Sequence, residues 1–190
     1  MPLTALDLVT ALIVIDLQKG TAGHPSIPPL SPILGRTREL IDAFRAKGLP
    51  VVLVNVAGRA PGRTEQGSRS GQTLPEGWTE LLSELGQQPS DILVTKRSWG
   101  AFATTNLEAR LKAKSVTQVV LTGVATSVGV EATARQAYEQ GFHVTVALDA
   151  IADISKEAHE YSIRNIFPRL GETGTTQEIL SLLQNRSVTG

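Results

Sequence analysis

The sequence predicts an α/β fold: three layers, α/β/α, with a Rossmann-like parallel sheet carrying helices on both faces. Three observations predict it. Short apolar runs rich in β-branched residues recur along the chain, stretches with helical spacing separate them, and the runs do not alternate polar with apolar as a strand with one wet face would. Crossovers between such strands are expected to be right-handed. The 190 residues, 41% hydrophobic and 19% charged, show no linker-like shift in composition and no internal repeat, so a single domain over 1-190 is expected.

The first strand is the run Ala11-Leu-Ile-Val-Ile-Asp-Leu17, apolar except for one carboxylate near its end. After a Pro-rich stretch, Ser31 and Pro32 read as the N-cap and first position of a helix. Ile33, Thr37, Leu40, Ile41 and Phe44 follow at helical spacing, and Gly48 and Pro50 stop it. Val51 to Val56 is a second buried strand. The segment 57–77, rich in Gly, Arg, Ser and Gln, has no periodicity and is unusually long for a compact domain, which marks it as a candidate lid or substrate loop. Alternation then continues with a short helix from Trp78 to Leu85, a strand from Asp91 to Thr95, a helix from Thr104 to Lys114 and a strand from Thr117 to Thr122. A helix from Val130 to Gln140, a strand from His143 to Leu148 and a helix from about Ser155 to Phe167 follow. A last helix from Thr175 to Gln184 opens on Thr175-Thr-Gln-Glu178, which has capping-box spacing.

Composition excludes several functions. With 18 basic and 18 acidic side chains the formal net charge is zero, so neither nucleic acid nor an anionic membrane surface is an expected partner. No apolar run is long enough to span a bilayer, and the N-terminus lacks the basic flank of a signal peptide, making the cytoplasm the expected compartment. The chain has no cysteine, which rules out disulfides, thiolate metal sites and a thiolate nucleophile. The three histidines, His24, His143 and His159, lack metal-ligand spacing and read as structural or exposed.

In open parallel sheets ligands bind beyond the carboxyl ends of the strands, near the point where strand order reverses. The candidates by that rule are Asp16, Asn55, Lys96, the segment 123–129 and Asp149. Asp16 leaves a low-dielectric strand, so burial is expected to raise its pKa and suit it to acid or base work, unless a nearby cation opposes the shift. It serves equally well as a carboxylate capping a neighbouring loop or helix. Lys96 is placed to orient Asp16 or hold a substrate carboxylate, or is a solvated surface charge. Gly123-Val-Ala-Thr-Ser-Val-Gly129 lacks both the P-loop ending and the dinucleotide glycine spacing; what remains is a set of backbone N–H groups at a helix start, able to stabilise negative charge. Ser127 has no nucleophile elbow around it and no evident histidine base.

Three stretches, Ala11-Leu-Ile-Val-Ile-Asp-Leu-Gln18, Lys96-Arg-Ser-Trp-Gly-Ala-Phe-Ala-Thr-Thr-Asn-Leu107 and Leu121-Thr-Gly-Val-Ala-Thr-Ser-Val-Gly-Val-Glu-Ala-Thr-Ala-Arg135, together resemble the isochorismatase-like hydrolases, or cysteine hydrolase superfamily. The resemblance covers nearly the whole chain. It implies an Asp, Lys, Cys triad in which Asp16 and Lys96 match the first two members and Gly129 stands where most members carry the nucleophilic cysteine. It also implies a cis peptide bond between Val124 and Ala125, with the N–H groups of residues 125 and 129 forming an oxyanion hole. Isochorismatases, which share a glycine at the nucleophile position, hydrolyse a vinyl ether by protonating the enol carbon, so Asp16 is implied as the acid. They typically carry glutamine at the end of strand two and tyrosine in the strand-four turn, where this chain has Val56 and Ala125. Arg59, Arg63 and Arg69 are placed to bind a dicarboxylate, or are solvated surface charges. Trp99 and Phe102 either wall the pocket or pack in the core.

The preferred expectation is a hydrolase for a small anionic metabolite, a vinyl ether such as isochorismate among them, with Asp16 as general acid and no covalent nucleophile. The alternatives are a nicotinamidase-like amidase whose cysteine has become Gly129, inactive or repurposed, and a binding protein without turnover. The resemblance implies a homo-oligomer, dimer or tetramer, and no metal or organic cofactor.

Overall fold

The computed structural model describes residues 3–65 and 73–185. Six parallel strands form one sheet: β1 (Thr10–Ile15), β2 (Val51–Val56), β3 (Ile92–Lys96), β4 (Gln118–Val124), β5 (His143–Ala152) and β6 (Glu172–Gly174). Their order is β3-β2-β1-β4-β5-β6. The helices are α1 (Lys19–Ala22), α2 (Leu30–Ala46), α3 (Leu107–Lys112), α4 (Glu131–Glu139), α5 (Lys156–Tyr161), α6 (Phe167–Leu170) and α7 (Thr176–Gln184). The three-layer α/β/α arrangement read from the sequence is the one found.

Burial on both faces explains the unbroken apolar strands. Leu12 and Val14 of β1 point to one face, where they join Ile33, Leu40, Ile41 and Phe44 of α2 and Ile179 and Leu183 of α7. Ile13 and Ile15 point to the other and meet Leu107 and Leu111 of α3 and Ala134 and Ala137 of α4. Each large side chain so buried contributes about 1.5 to 3 kcal/mol of transfer free energy, and this two-sided burial is what holds β1 at the centre.

Strand order reverses between β1 and β4, so the connections from their carboxyl ends diverge and leave a crevice. Gly123 makes the close approach there. Its φ is 113, and a Cβ on it would lie 2.0 Å from Ile15 O, so only glycine lets β4 pass the end of β1.

Several element boundaries differ from the expectation. Helix α2 begins at Leu30 with Pro29 at the N-cap, not at Ser31; Pro32 falls in the first turn, where a missing N–H costs no intrahelical bond. The expected helix from Trp78 to Leu85 is absent apart from a 3₁₀ turn, Ser83–Leu85, because Gln18 takes the Trp78 carbonyl and pairs across to Leu81. The expected helix from Thr104 shortens to Leu107–Lys112, its first residues spent in a turn where Thr105 Oγ1 donates to Ala101 O. The expected helix from Ser155 does start with Ser155 as N-cap, its side chain accepting from Ala158 N, but it widens to a π turn at Ser162–Ile166 before α6. Pro168 cannot donate to the carbonyl four residues back, which interrupts the α ladder there. The capping box at Thr175 and Glu178 forms as read. Strand β6, three residues at the sheet edge, was too short to show any alternation.

Candidate active site

Strand β1 ends at Ile15, and Asp16 lies one residue beyond it with φ 51. That left-handed turn lifts its side chain out of the strand's alternation. Fully buried Gln18 fastens the turn to the end of β2: its Nε2 donates to Val56 O (3.1 Å) and Trp78 O (2.7 Å), and its Oε1 accepts from Val56 N at 2.6 Å. The Trp78 indole N–H adds a bond to Val56 O at 3.1 Å.

Lys96 is the last residue of β3, on the face that carries Ile92 and Val94 inward. It is 1% exposed, and its Nζ lies 2.8 Å from Asp16 Oδ2 while also donating to Trp99 O at 2.5 Å. The solvated-lysine alternative is thereby removed. Asp16 Oδ1 is buried and has no hydrogen-bond partner. Burial raises the Asp16 carboxyl from 3.8 to about 6, with Lys96 pulling the other way through charge and hydrogen bond. Desolvation wins because the carboxyl is almost fully buried, Oδ1 has no partner and the ammonium contacts only Oδ2.

From β4 the chain passes a cis peptide between Val124 and Ala125, as the resemblance implied. A π turn, Thr126–Val130, follows, in which Val128 N and Val130 N both donate to Ala125 O at 3.1 Å. Gly129 faces the crevice: a Cβ on it would lie 3.0 Å from Ile15 Cγ2, 3.1 Å from Val124 O and 3.2 Å from Asp16 Oδ2. A side chain at 129 would therefore be aimed at the Asp16 carboxylate. Asp16, Lys96, Val124, Ala125 and Gly129 come together from the ends of β1, β3 and β4.

Other candidates lie elsewhere. Phe102 is buried in the core, its ring stacked on Phe142 with centroids 5.8 Å apart, and does not wall the site. Trp99 is 61% exposed, and it is its carbonyl that meets Lys96. Arg59 and Arg63 are exposed, and Arg69 lies outside the described residues. Asn55 donates through Nδ2 to Thr79 O at 2.8 Å and serves the loop. Asp149 falls inside β5, where the register against β4 jumps from Leu121↔Val146 to Gly123↔Ile151; it accepts from Thr176 N at 2.7 Å and so anchors α7. His24 and His143 are exposed.

The sequence reading missed the clamps behind the turn. Asp153 Oδ2 accepts from Ser127 N (2.6 Å) and Ser127 Oγ (2.8 Å), which ties the turn to the end of β5. Thr126 Oγ1 and His159 Nδ1 lie 2.8 Å apart, and burial pushes the His159 imidazole down against the opposing pull of Asp153 and Glu160. Asp153 lies just beyond β5, and no local spacing signals its partner 26 residues away. Among the described residues no group of three side chains fit to hold a metal is present. A hollow of about 570 Å³ lined by Ser127, Glu131, Arg135, Ser155 and Tyr161 includes neither Asp16 nor Lys96.

The family model described as the isochorismatase domain matches residues 10–178. An uncharacterized isochorismatase family protein of Escherichia coli O157:H7, YecD, is 40% identical over 182 residues, covering 92% of this chain and 96% of that one. Nicotinamidase 3 of Arabidopsis thaliana is 31% identical over 166 residues, covering 83% and 80%. Among solved structures, an isochorismatase family protein from Burkholderia thailandensis superposes with a TM-score of 0.90 at 37% identity, covering 95% of this chain and 98% of that one.

Proposed function

The chain belongs to the isochorismatase family of hydrolases, and on that premise we propose that it hydrolyses a small anionic metabolite, a vinyl ether such as isochorismate being the model substrate, without a covalent intermediate. One observation carries the reading. Asp16 combines a carboxyl raised to about 6 with an unpartnered buried oxygen, and the residue facing it, Gly129, has no side chain to attack with. An acid of that pKa is about one-tenth protonated at pH 7, enough to act and strong enough to give its proton up.

In the proposed reaction Asp16 transfers its proton to the terminal enol carbon, and the ether becomes an oxocarbenium ion. Water adds to the cationic carbon and returns a proton to the Asp16 carboxylate. The hemiketal then collapses to pyruvate and an alcohol. Lys96 keeps the conjugate carboxylate paired and stands beside the ether or carboxylate oxygen. The N–H groups of Ala125 and Gly129, rather than those of Ser127 and Val128, which are bonded within the fold, offer dipoles to an anionic oxygen of the substrate.

The test is pyruvate release from isochorismate and a panel of enol ethers, with Asp16→Asn lowering the rate by at least about 10²-fold. No turnover across the panel refutes the reading. A second reading has its own support: a Cβ at Gly129 points at Asp16 Oδ2 from 3.2 Å, the relation a thiol and its base would have, and the chain is 31% identical to a nicotinamidase. On that reading Gly129→Cys releases ammonia from an amide panel, and continued inertness counts against it.

A further inference from the structure

The site residues come from three separate strand ends, and one helix behind them holds two of those ends together. Thr133, fully buried on α4, donates from Oγ1 to Gly129 O at 2.7 Å. A threonine hydroxyl returned to the carbonyl four residues back is common in helices. The same oxygen, however, accepts from Ala101 N at 3.1 Å, across 32 residues of sequence. One turn further along α4, Gln136 Oε1 accepts from Phe102 N (2.9 Å) and Ala103 N (3.3 Å). Between them the chain lies so close to the helix that a Cβ at Gly100 would fall 2.3 to 2.5 Å from the Gln136 amide. Three consecutive backbone N–H groups, at 101, 102 and 103, thus end on two side chains of α4.

This docked turn begins at Trp99, whose carbonyl accepts from Lys96 Nζ. Lys96 in turn pairs with Asp16, which lies against Gly129. The contacts close into a ring: Gly129, Thr133, Ala101, the Trp99 carbonyl, Lys96, Asp16 and back to Gly129. We propose that Thr133, assisted by Gln136, is a positioning residue that sets the Lys96 ammonium against Asp16 by fixing the Trp99 carbonyl relative to the Gly129 turn. Thr133 touches neither the reacting groups nor solvent. Its effect is transmitted because a long lysine side chain is oriented by what its three protons bond to, and among the described residues the Trp99 carbonyl is its acceptor besides Asp16. The inference builds on Asp16 as the acid but is tested without a substrate.

Lys96 is the charged group that acts on Asp16 among the described residues, so the Asp16 titration reports the position of the ammonium. In full-length protein labelled with ¹³C at aspartate carboxyls, the Asp16 resonance is assigned by its loss in Asp16→Asn. Thr133→Val keeps the volume, removes both bonds, and is expected to raise the Asp16 midpoint by about one pH unit, a tenfold change in the protonation equilibrium. Thr133→Ser restores the wild-type midpoint. A merely structural threonine would lower the melting temperature and leave the midpoint where it was, and that result in folded Thr133→Val overturns the proposal. If Thr133→Val does not fold, Gln136→Met decides the question by the same readout: a raised midpoint supports the proposal and an unmoved one overturns it. Absence of enol-ether turnover would refute the proposed reaction without touching this result.

Discussion

Asp16→Asn should change how stability depends on pH, in a direction opposite to that of an ordinary ion-paired carboxylate. The Asp16 carboxyl titrates at about 6 in the folded protein against 3.8 as its ordinary value. Between those values the folded state holds a proton that the unfolded chain has released. Stability contributed by Asp16 is therefore complete below about pH 4 and is lost as pH rises through 6. The displacement is about 2 pH units, and at 1.36 kcal/mol for each the loss is about 3 kcal/mol. Asparagine keeps the shape and still offers an oxygen to Lys96 but cannot titrate, so the variant lacks this slope. Urea unfolding of both proteins from pH 4 to 7.5 gives the measurement, read as wild type minus variant so that the other carboxylates cancel. The difference should fall by about 2.4 kcal/mol across that range, which for a urea slope near 2 kcal/mol/M moves the relative midpoints by about 1.2 M. A difference that stays flat or rises would mean that the Lys96 contact outweighs burial and that Asp16 is fully ionised at neutral pH. The acid role would then be refuted.

The remaining predictions concern the partners of that carboxyl and one control. Lys96→Met leaves the ionised Asp16 buried and unpaired, costing about 3 to 5 kcal/mol at pH 8 and clearly less at pH 5, where the carboxyl takes a proton; equal costs at the two pH values would contradict the pairing seen at 2.8 Å. Gly129→Ala places a methyl at 3.0 to 3.2 Å from Ile15, Val124 and Asp16 and should cost about 1 to 3 kcal/mol in thermal unfolding, with loss of any enol-ether hydrolysis. Thr175→Ala removes the acceptor for Glu178 N from the capping box and should cost about 1 kcal/mol, visible as a drop of about 2 to 4 °C in melting temperature with the Asp16 titration unmoved.

Much of the architecture was legible because two-sided burial leaves its mark residue by residue. The run from Ala11 to Ile15 has no polar member to face water, and Ile33, Leu40, Ile41 and Phe44 recur at the helical period because they meet one face of the sheet. Asp16, Lys96 and Gly129 were legible for a different reason: polar or small residues at the ends of such strands stand out, and a parallel sheet gathers its strand ends on one edge. The helix expected at Trp78 failed because its backbone groups are taken by Gln18, 60 residues earlier, a competition that local spacing cannot show. Phe102 looked equally suited to pocket and core; its packing on Phe142 across the α3 face decided for the core.

The sequence by itself determined the layered α/β architecture, the places of the five longer strands and the absence of any thiol, since these follow from side-chain type and period alone. The tertiary structure decided which strand ends meet, because sheet order is a long-range property: β1 lies beside β4, and β3 stands two places from β1, yet Lys96 spans the gap to Asp16. It also decided the charge state of the site. Whether burial or Lys96 governs the Asp16 proton depends on how many oxygens the ammonium reaches and how much water is excluded, and both are set by distances that no spacing along the chain encodes.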